Sequence, residues 1–161
     1  MYEIKRLEEK DVDEVKKLLR ISWLDTYARL LSDSIIQKVS LTWHSKENIL
    51  RGLRNPKIFF AGYREDSKLL GIITVEKIDD ELIQIHRLYV LPSYQRRGIG
   101  SKLLEAAINY FPKSKKAVLE VEEVNNKAIS FYKKKGFSFA KRKSVKVDDE
   151  EIPCLVGELI L

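Results

Sequence analysis

The residues with the clearest chemistry stand in one short run, Gln95-Arg96-Arg97-Gly98-Ile99-Gly100-Ser101, between a strand-like stretch, Ile83 to Val90, and a helix-like stretch, Ile99 to Phe111. Gly98 and Gly100 let backbone approach a ligand and take φ values that a side chain forbids, and the helix they open leaves its first N–H groups unpaired. That end attracts anions. Arg96 and Arg97 add permanent positive charge at the same place, so the ligand chemistry this turn fits is a pyrophosphate. Glycines and arginines also occur in ordinary strand-to-helix turns, and the run alone does not separate the two readings.

The longer run RLYVLPSYQRRGIGSKLL, Arg87 to Leu104, resembles the acetyl-coenzyme A signature of the GNAT superfamily of N-acetyltransferases. A second run, NNKAISFYKKKGF from Asn125 to Phe137, is similar to a later motif of that family, N-x-x-A-x-x-F-Y-x-x-x-G-F, in the same order. The resemblance is residue-specific from about Leu82 to Phe139. It implies acetyl-CoA as co-substrate and no metal. It implies a pantetheine arm lying along the main chain of Leu88, Tyr89 and Val90, and a pyrophosphate held by Gln95, Arg96, Arg97, Gly98, Ile99, Gly100 and Ser101. Asn125 becomes a polar contact to the arm, with helix capping as its ordinary alternative. Tyr132 becomes a contact to the co-substrate and the acid that protonates the departing thiolate.

An acetyl thioester is already activated, so transfer to an amine needs orientation, loss of the ammonium proton and protonation of the thiolate. A phenol is neutral at pH 7 and can donate, which suits Tyr132. A free alkylammonium has a pKa of about 10.4, so a base or desolvation must supply the neutral amine. Glu120 sits where some members of the family carry a glutamate base and is the expected base here; His86 and Glu122 are its competitors.

The acceptor side must come from the N-terminal segments, where no precise motif stands. Trp23, Tyr27 and Trp43 are candidates to wall a slot, each with core packing as the ordinary alternative. His86 and Glu122 are candidate acceptor contacts, and Asp25, Glu120, Glu122 and Glu123 candidate holders of a cation. The Trp23-x-x-x-Tyr27 spacing also resembles, more loosely, the PaiA-like branch of spermidine and spermine acetyltransferases. A polyamine is therefore the expected acceptor and an N-terminal peptide amine the alternative. An acetyl-CoA-binding regulatory module is the non-enzymatic rival, against which the retained Tyr132 argues.

The elements that must position these residues follow from periodicity. Tyr2 to Arg6 reads as a strand. Asp11 is placed to cap a helix with Glu14 reaching back, and helical spacing runs through Val12, Val15, Leu18, Leu19, Trp23, Tyr27, Leu30 and Leu31. Asp33 to Ser40 and Ser45 to Leu53 read as short helices. Ile58 to Arg64, Leu69 to Lys77 and Leu82 to Leu91 read as an antiparallel meander, followed by the glycine turn and a helix stopped by Pro112. Ala117 to Glu122 is short enough for a buried strand. Asn125 or Asn126 caps the next helix, Gly136 suits its C′ position, and Phe137 to Val147 and Ile152 to Leu161 close the chain as strands. The pattern is mixed α/β, an α+β arrangement of a mostly antiparallel sheet with flanking helices, and it matches the GNAT order.

Bulk properties set the frame: 161 residues of which 44% are hydrophobic, the size of a single domain spanning 1–161. No run reaches the roughly 18 apolar residues of a membrane span, and Met1 to Arg6 lacks an apolar signal core, so a cytoplasmic location is expected. The single cysteine, Cys154, excludes an internal disulfide and reads as an apolar filler. The net charge of +6 suits an anionic ligand. Its lysines are scattered and lack interleaved aromatics, which argues against a nucleic-acid partner. A small-molecule amine is the expected partner, and a homodimer is left open.

Overall fold

The computed structural model describes residues 1–161. Its centre is a seven-stranded sheet in the order β1-β2-β3-β4-β5-β7-β6, with β1 at Tyr2–Arg6, β2 at Ile58–Glu65, β3 at Lys68–Lys77, β4 at Leu82–Val90, β5 at Lys116–Glu122, β6 at Ser138–Val147 and β7 at Glu150–Ile160. All neighbouring strands run antiparallel except β4 and β5. Helices α1 (Val12–Tyr27), α2 (Asp33–Leu41) and α3 (Lys46–Arg54) cover one face, and α4 (Ile99–Tyr110) and α5 (Asn126–Lys134) the other.

The sequence reading needs correction at α1. Asp11 makes no side-chain bond to the helix it precedes; its Oδ2 accepts from Glu8 N at 2.7 Å. Glu14 does not reach back. Its carboxylate takes Arg64 Nη2 at 2.7 Å and Leu69 N at 3.1 Å, tying α1 to the β2–β3 hairpin. A tertiary cation and a free edge amide compete successfully with the local cap. The helix also ends at Tyr27, before Leu30 and Leu31. The later short helices are capped as their sequences require: Ser32 accepts from Ile35 N at 3.2 Å and Ser45 from Asn48 N at 3.1 Å.

Two departures from regular sheet geometry create the cleft. The parallel pairing of β4 with β5 runs only from Leu82 to Ile85 against Lys116 to Leu119. Beyond these residues the strands separate, leaving the β5-facing edge of β4 without a strand partner. The second departure is a β-bulge: Thr74 pairs with Arg87 but Val75 pairs with Ile85, so His86 is an extra residue in β4. One inserted residue shifts the alternation of everything after it. Ile83, Ile85, Leu88 and Val90 thus all pack on the α4 side. Arg87 and Tyr89 turn to the α1–α3 side, where Tyr89 packs with the α1 clusters and Arg87 bonds Trp43.

Candidate active site

The turn from β4 into α4 has the geometry of an anion site. Gly98 takes φ +79°, Arg96 φ +63°, and α4 begins at Ile99 with no side-chain cap, leaving its first amides directed outward. Left-handed backbone explains Gly98. Gly100 needs a different explanation, since a Cβ there would meet only the Phe131 ring, at 3.5 Å, an ordinary contact. Internal packing does not demand glycine at position 100, and its absence of a Cβ leaves the backbone open to close approach by a ligand. Arg96 and Arg97 are exposed and have no carboxylate partner, with the Arg97 guanidinium 4.9 Å from the Tyr94 ring centre. Gln95 Nε2 donates to Val90 O at 3.1 Å, joining the end of β4 to the turn. These residues fit a diphosphate-bearing thioester, and the unpaired β4 edge at Leu88, Tyr89 and Val90 fits an amide-bearing arm.

Where β4 and β5 separate lies a cavity of about 440 Å³. It brings together Trp23, Tyr27, Trp43, His86, Leu88, Tyr89, Glu120, Glu122, Asn125 and Tyr132 from six different segments. Val90 and the turn Gln95, Arg96, Arg97, Gly98, Ile99, Gly100 and Ser101 lie outside its lining, at the α4 end of the same β4 edge. Asp25 and Glu123 are also outside it; Asp25 is exposed, and Glu123 holds Arg142 through both carboxylate oxygens.

Tyr132 is 7% exposed, and its hydroxyl has no protein partner. Burial, then Tyr89 and Glu122, raises its phenol above the ordinary value, so it keeps its proton at neutral pH. Glu122 accepts a short hydrogen bond from Tyr27 Oη, which in turn accepts from Asn125 Nδ2 at 2.8 Å. Burial raises the Glu122 carboxyl, while the Tyr27 bond opposes the shift. Asn125 Oδ1 meanwhile accepts from Ala128 N at 3.1 Å, so this side chain caps α5 and braces Tyr27 at once. Trp23 Nε1 donates to Tyr89 Oη at 2.9 Å, fixing α1 against β4.

The two remaining candidates for the base are already paired. Glu120 lies 2.5 Å from Lys143 Nζ, and His86 Nε2 lies 2.7 Å from Glu76 Oε2. Glu122, among the cavity carboxylates, carries no cationic partner. Cys154, opposite Glu122 on β7, is buried, and burial pushes its thiol up to about 12, so it is packing and not a nucleophile.

Sequence reasoning missed His44 and Arg87. His44 lines the cavity at 6% exposure, edge-on to Trp23 with ring centres 5.3 Å apart; burial, with Arg87 and Lys16 adding, pushes its imidazole down to about 3. Arg87 was legible only as part of the motif run. The bulge that aims it could not be read from periodicity.

A splayed mixed sheet with an anion turn at a helix N-terminus and a buried phenol in the gap defines an acyltransferase of the coenzyme A-dependent kind. The Acetyltransferase (GNAT) family matches residues 13–137, and the chain belongs to it. The spermidine N(1)-acetyltransferase of Thermoplasma acidophilum is 34% identical over 143 residues, covering 84% of this chain and 87% of that protein. The N-alpha-acetyltransferase RimI of Mycobacterium tuberculosis is 30% identical over 90 residues, 54% of this chain and 56% of that one. Among solved structures, the PaiA N-acetyltransferase of Thermoplasma acidophilum in complex with coenzyme A superposes with a TM-score of 0.83 at 29% identity, covering 100% of this chain and 99% of that one. The protein is an N-acetyltransferase that uses acetyl-CoA. No helix is long and apolar enough to cross a membrane.

Proposed function

We propose that the acceptor is a polyamine, spermidine or spermine, and that Tyr132 is the acid of the reaction. The observation that carries the acceptor is Glu122, a carboxylate free of cations and set among Trp23, Tyr27 and Trp43 in the cavity. A chain of net charge +6 repels a polyamine at long range, so a local carboxylate with aromatic faces must outweigh the field. Trp43 is the half-buried ring of the three and can add a cation–π contact of about 0.5–2 kcal/mol, whereas Trp23 and Tyr27, 3% and 1% exposed, are core-packed around it. The name of the Thermoplasma relative supports the same acceptor.

Acetyl-CoA supplies the activated acetyl group. The chain's own residues do the rest: the α4 turn holds the phosphates, the free β4 edge aligns the arm, and Trp23, Tyr27 and Trp43 confine the amine. Glu122 takes the amine's proton, directly or through water, because its raised pKa brings it toward the operating range and Tyr27 holds one of its oxygens still. Glu120 serves as base only once Lys143 is displaced. Tyr132 donates to the sulfur as it leaves.

Thiol release with spermidine, spermine and a set of N-terminal peptides, at low and moderate salt, tests the reading. Spermidine and spermine are expected to be acetylated with a Michaelis constant that rises with ionic strength, and Glu122→Gln is expected to raise it and, by removing the base, to lower turnover as well. A far higher specificity constant for peptides puts the N-terminal amine reading in its place.

A further inference from the structure

The same cavity also holds a cation without a counter-ion. The bulge at His86 aims Arg87 to the α1–α3 side, where its Nη2 donates to Trp43 O at 2.7 Å. That carbonyl also accepts from Asn48 Nδ2 at 2.8 Å, so both of its lone pairs are in use. Arg87 has no other hydrogen-bond partner and no carboxylate within ion-pair distance. The contrast with the other half-buried arginine is direct: Arg64 holds Asp11 at 3.0 Å and Glu14 at 2.7 Å.

His44 lies beside Arg87 in the same wall. It is more than nine-tenths buried, and neither ring nitrogen bonds to protein, yet neither is sealed off from the cavity. Burial holds it neutral, so one nitrogen carries an N–H to give. A charge taken from water without a partner costs several kcal/mol, and a guanidinium fork matches a carboxylate through two parallel bonds. A half-buried guanidinium without a counter-ion and a buried imidazole without a hydrogen-bond partner, both lining this cavity, form a site suited to an anion.

We propose that the Arg87–His44 corner is a subsite for a carboxylate carried by the acceptor, so that amines bearing a carboxylate are acceptors of this enzyme in addition to polyamines. The proposal rests on the assignment of this cavity to the acceptor. It does not rest on the polyamine, which has no carboxylate to place there.

Matched pairs test it: glycine, β-alanine, γ-aminobutyrate and lysine against the corresponding carboxamides, by thiol release, with spermidine in parallel. At least one acid is expected to exceed its amide in kcat/KM by about 10-fold, the difference lying in KM. Arg87→Gln should lower kcat/KM for that acid about 10-fold more than for its amide. Arg87→Lys, which keeps the charge but not the fork, should recover part of the preference. Equal use of acids and amides by the folded wild type overturns the subsite, as does an Arg87→Gln variant that weakens both alike, which would make Arg87 a brace for Trp43. Turnover of spermidine with no acid used overturns the subsite and leaves the polyamine standing. Turnover of acids without spermidine does the reverse.

Discussion

Between Val90 and Ser101 the candidate anion turn is made from one unbroken length of chain, whereas the cavity wall draws Tyr27 from α1, His44 from the α2–α3 connection, Arg87 from β4 and Glu122 from β5. The first region works through backbone: amides at a helix end, a left-handed glycine and an open strand edge. The second works through side chains whose partners are far away in sequence. Tyr27 is 95 residues from Glu122 and 98 from Asn125, Trp23 is 66 from Tyr89, and Arg87 is 44 from Trp43. Backbone recognition tolerates substitution at most positions and so can be shared widely by a family. Side-chain recognition changes with single residues and sets what each member acetylates.

The two regions should therefore fail in different ways when altered. The largest expected effect joins them at Tyr132, which sits in the gap. Tyr132→Phe keeps the ring and removes the transferable proton, and turnover should drop roughly 10²-fold at unchanged coenzyme affinity. Steady-state kinetics with calorimetric titration of coenzyme A checks both halves, and unchanged turnover with chemistry rate-limiting would return Tyr132 to a packing role.

Next comes the backbone region alone. Gly100→Val should weaken coenzyme A binding by at least ~10-fold, or ~1.4 kcal/mol, while the chain still folds, since the added Cβ meets only Phe131 at 3.5 Å. Calorimetry on a variant with a near-normal melting curve decides it. Wild-type affinity there would mean the turn does not approach the phosphates closely.

The smallest effect belongs to the side-chain wall and is read in stability. His44 titrates near 3 in the fold, below the ordinary value of 6.5, so the unfolded chain takes up its proton first. Its neutral form's contribution is complete above pH 6.5 and declines as pH falls from 6.5 toward 3. Going from pH 8 to pH 6 should cost about 1 kcal/mol through this group. The raised Glu122 carboxyl acts in the opposite sense, its contribution being lost as pH rises, and it is common to wild type and variant. Urea unfolding of wild type and His44→Gln at both pH values isolates the imidazole. Parallel pH profiles would show that His44 is wetter than the fold describes.

Much of the architecture was legible because short-range rules govern it. Strands β2 to β5 and the caps at Asn125 and Gly136 follow from alternation and turn chemistry that operate within a few residues. The start of α1 shows where such rules yield: Asp11 closes a local bond one turn earlier, to Glu8 N, while also meeting Arg64, and Glu14 bonds the distant Arg64 and Leu69 N instead of reaching back.

By itself the sequence determined the order of elements, the anion turn and the family, because each is written in contiguous residues whose effect needs no distant partner. Only the tertiary structure decided which carboxylate stands free of cations. Glu120 and Glu122 lie two apart on one face of β5, yet Lys143 of β6 reaches the first and Tyr27 of α1 the second. It also decided, through one extra residue at His86, that Arg87 turns to the cavity. A bulge and the meeting of remote side chains are settled by the packing of whole elements, and no local pattern records the outcome.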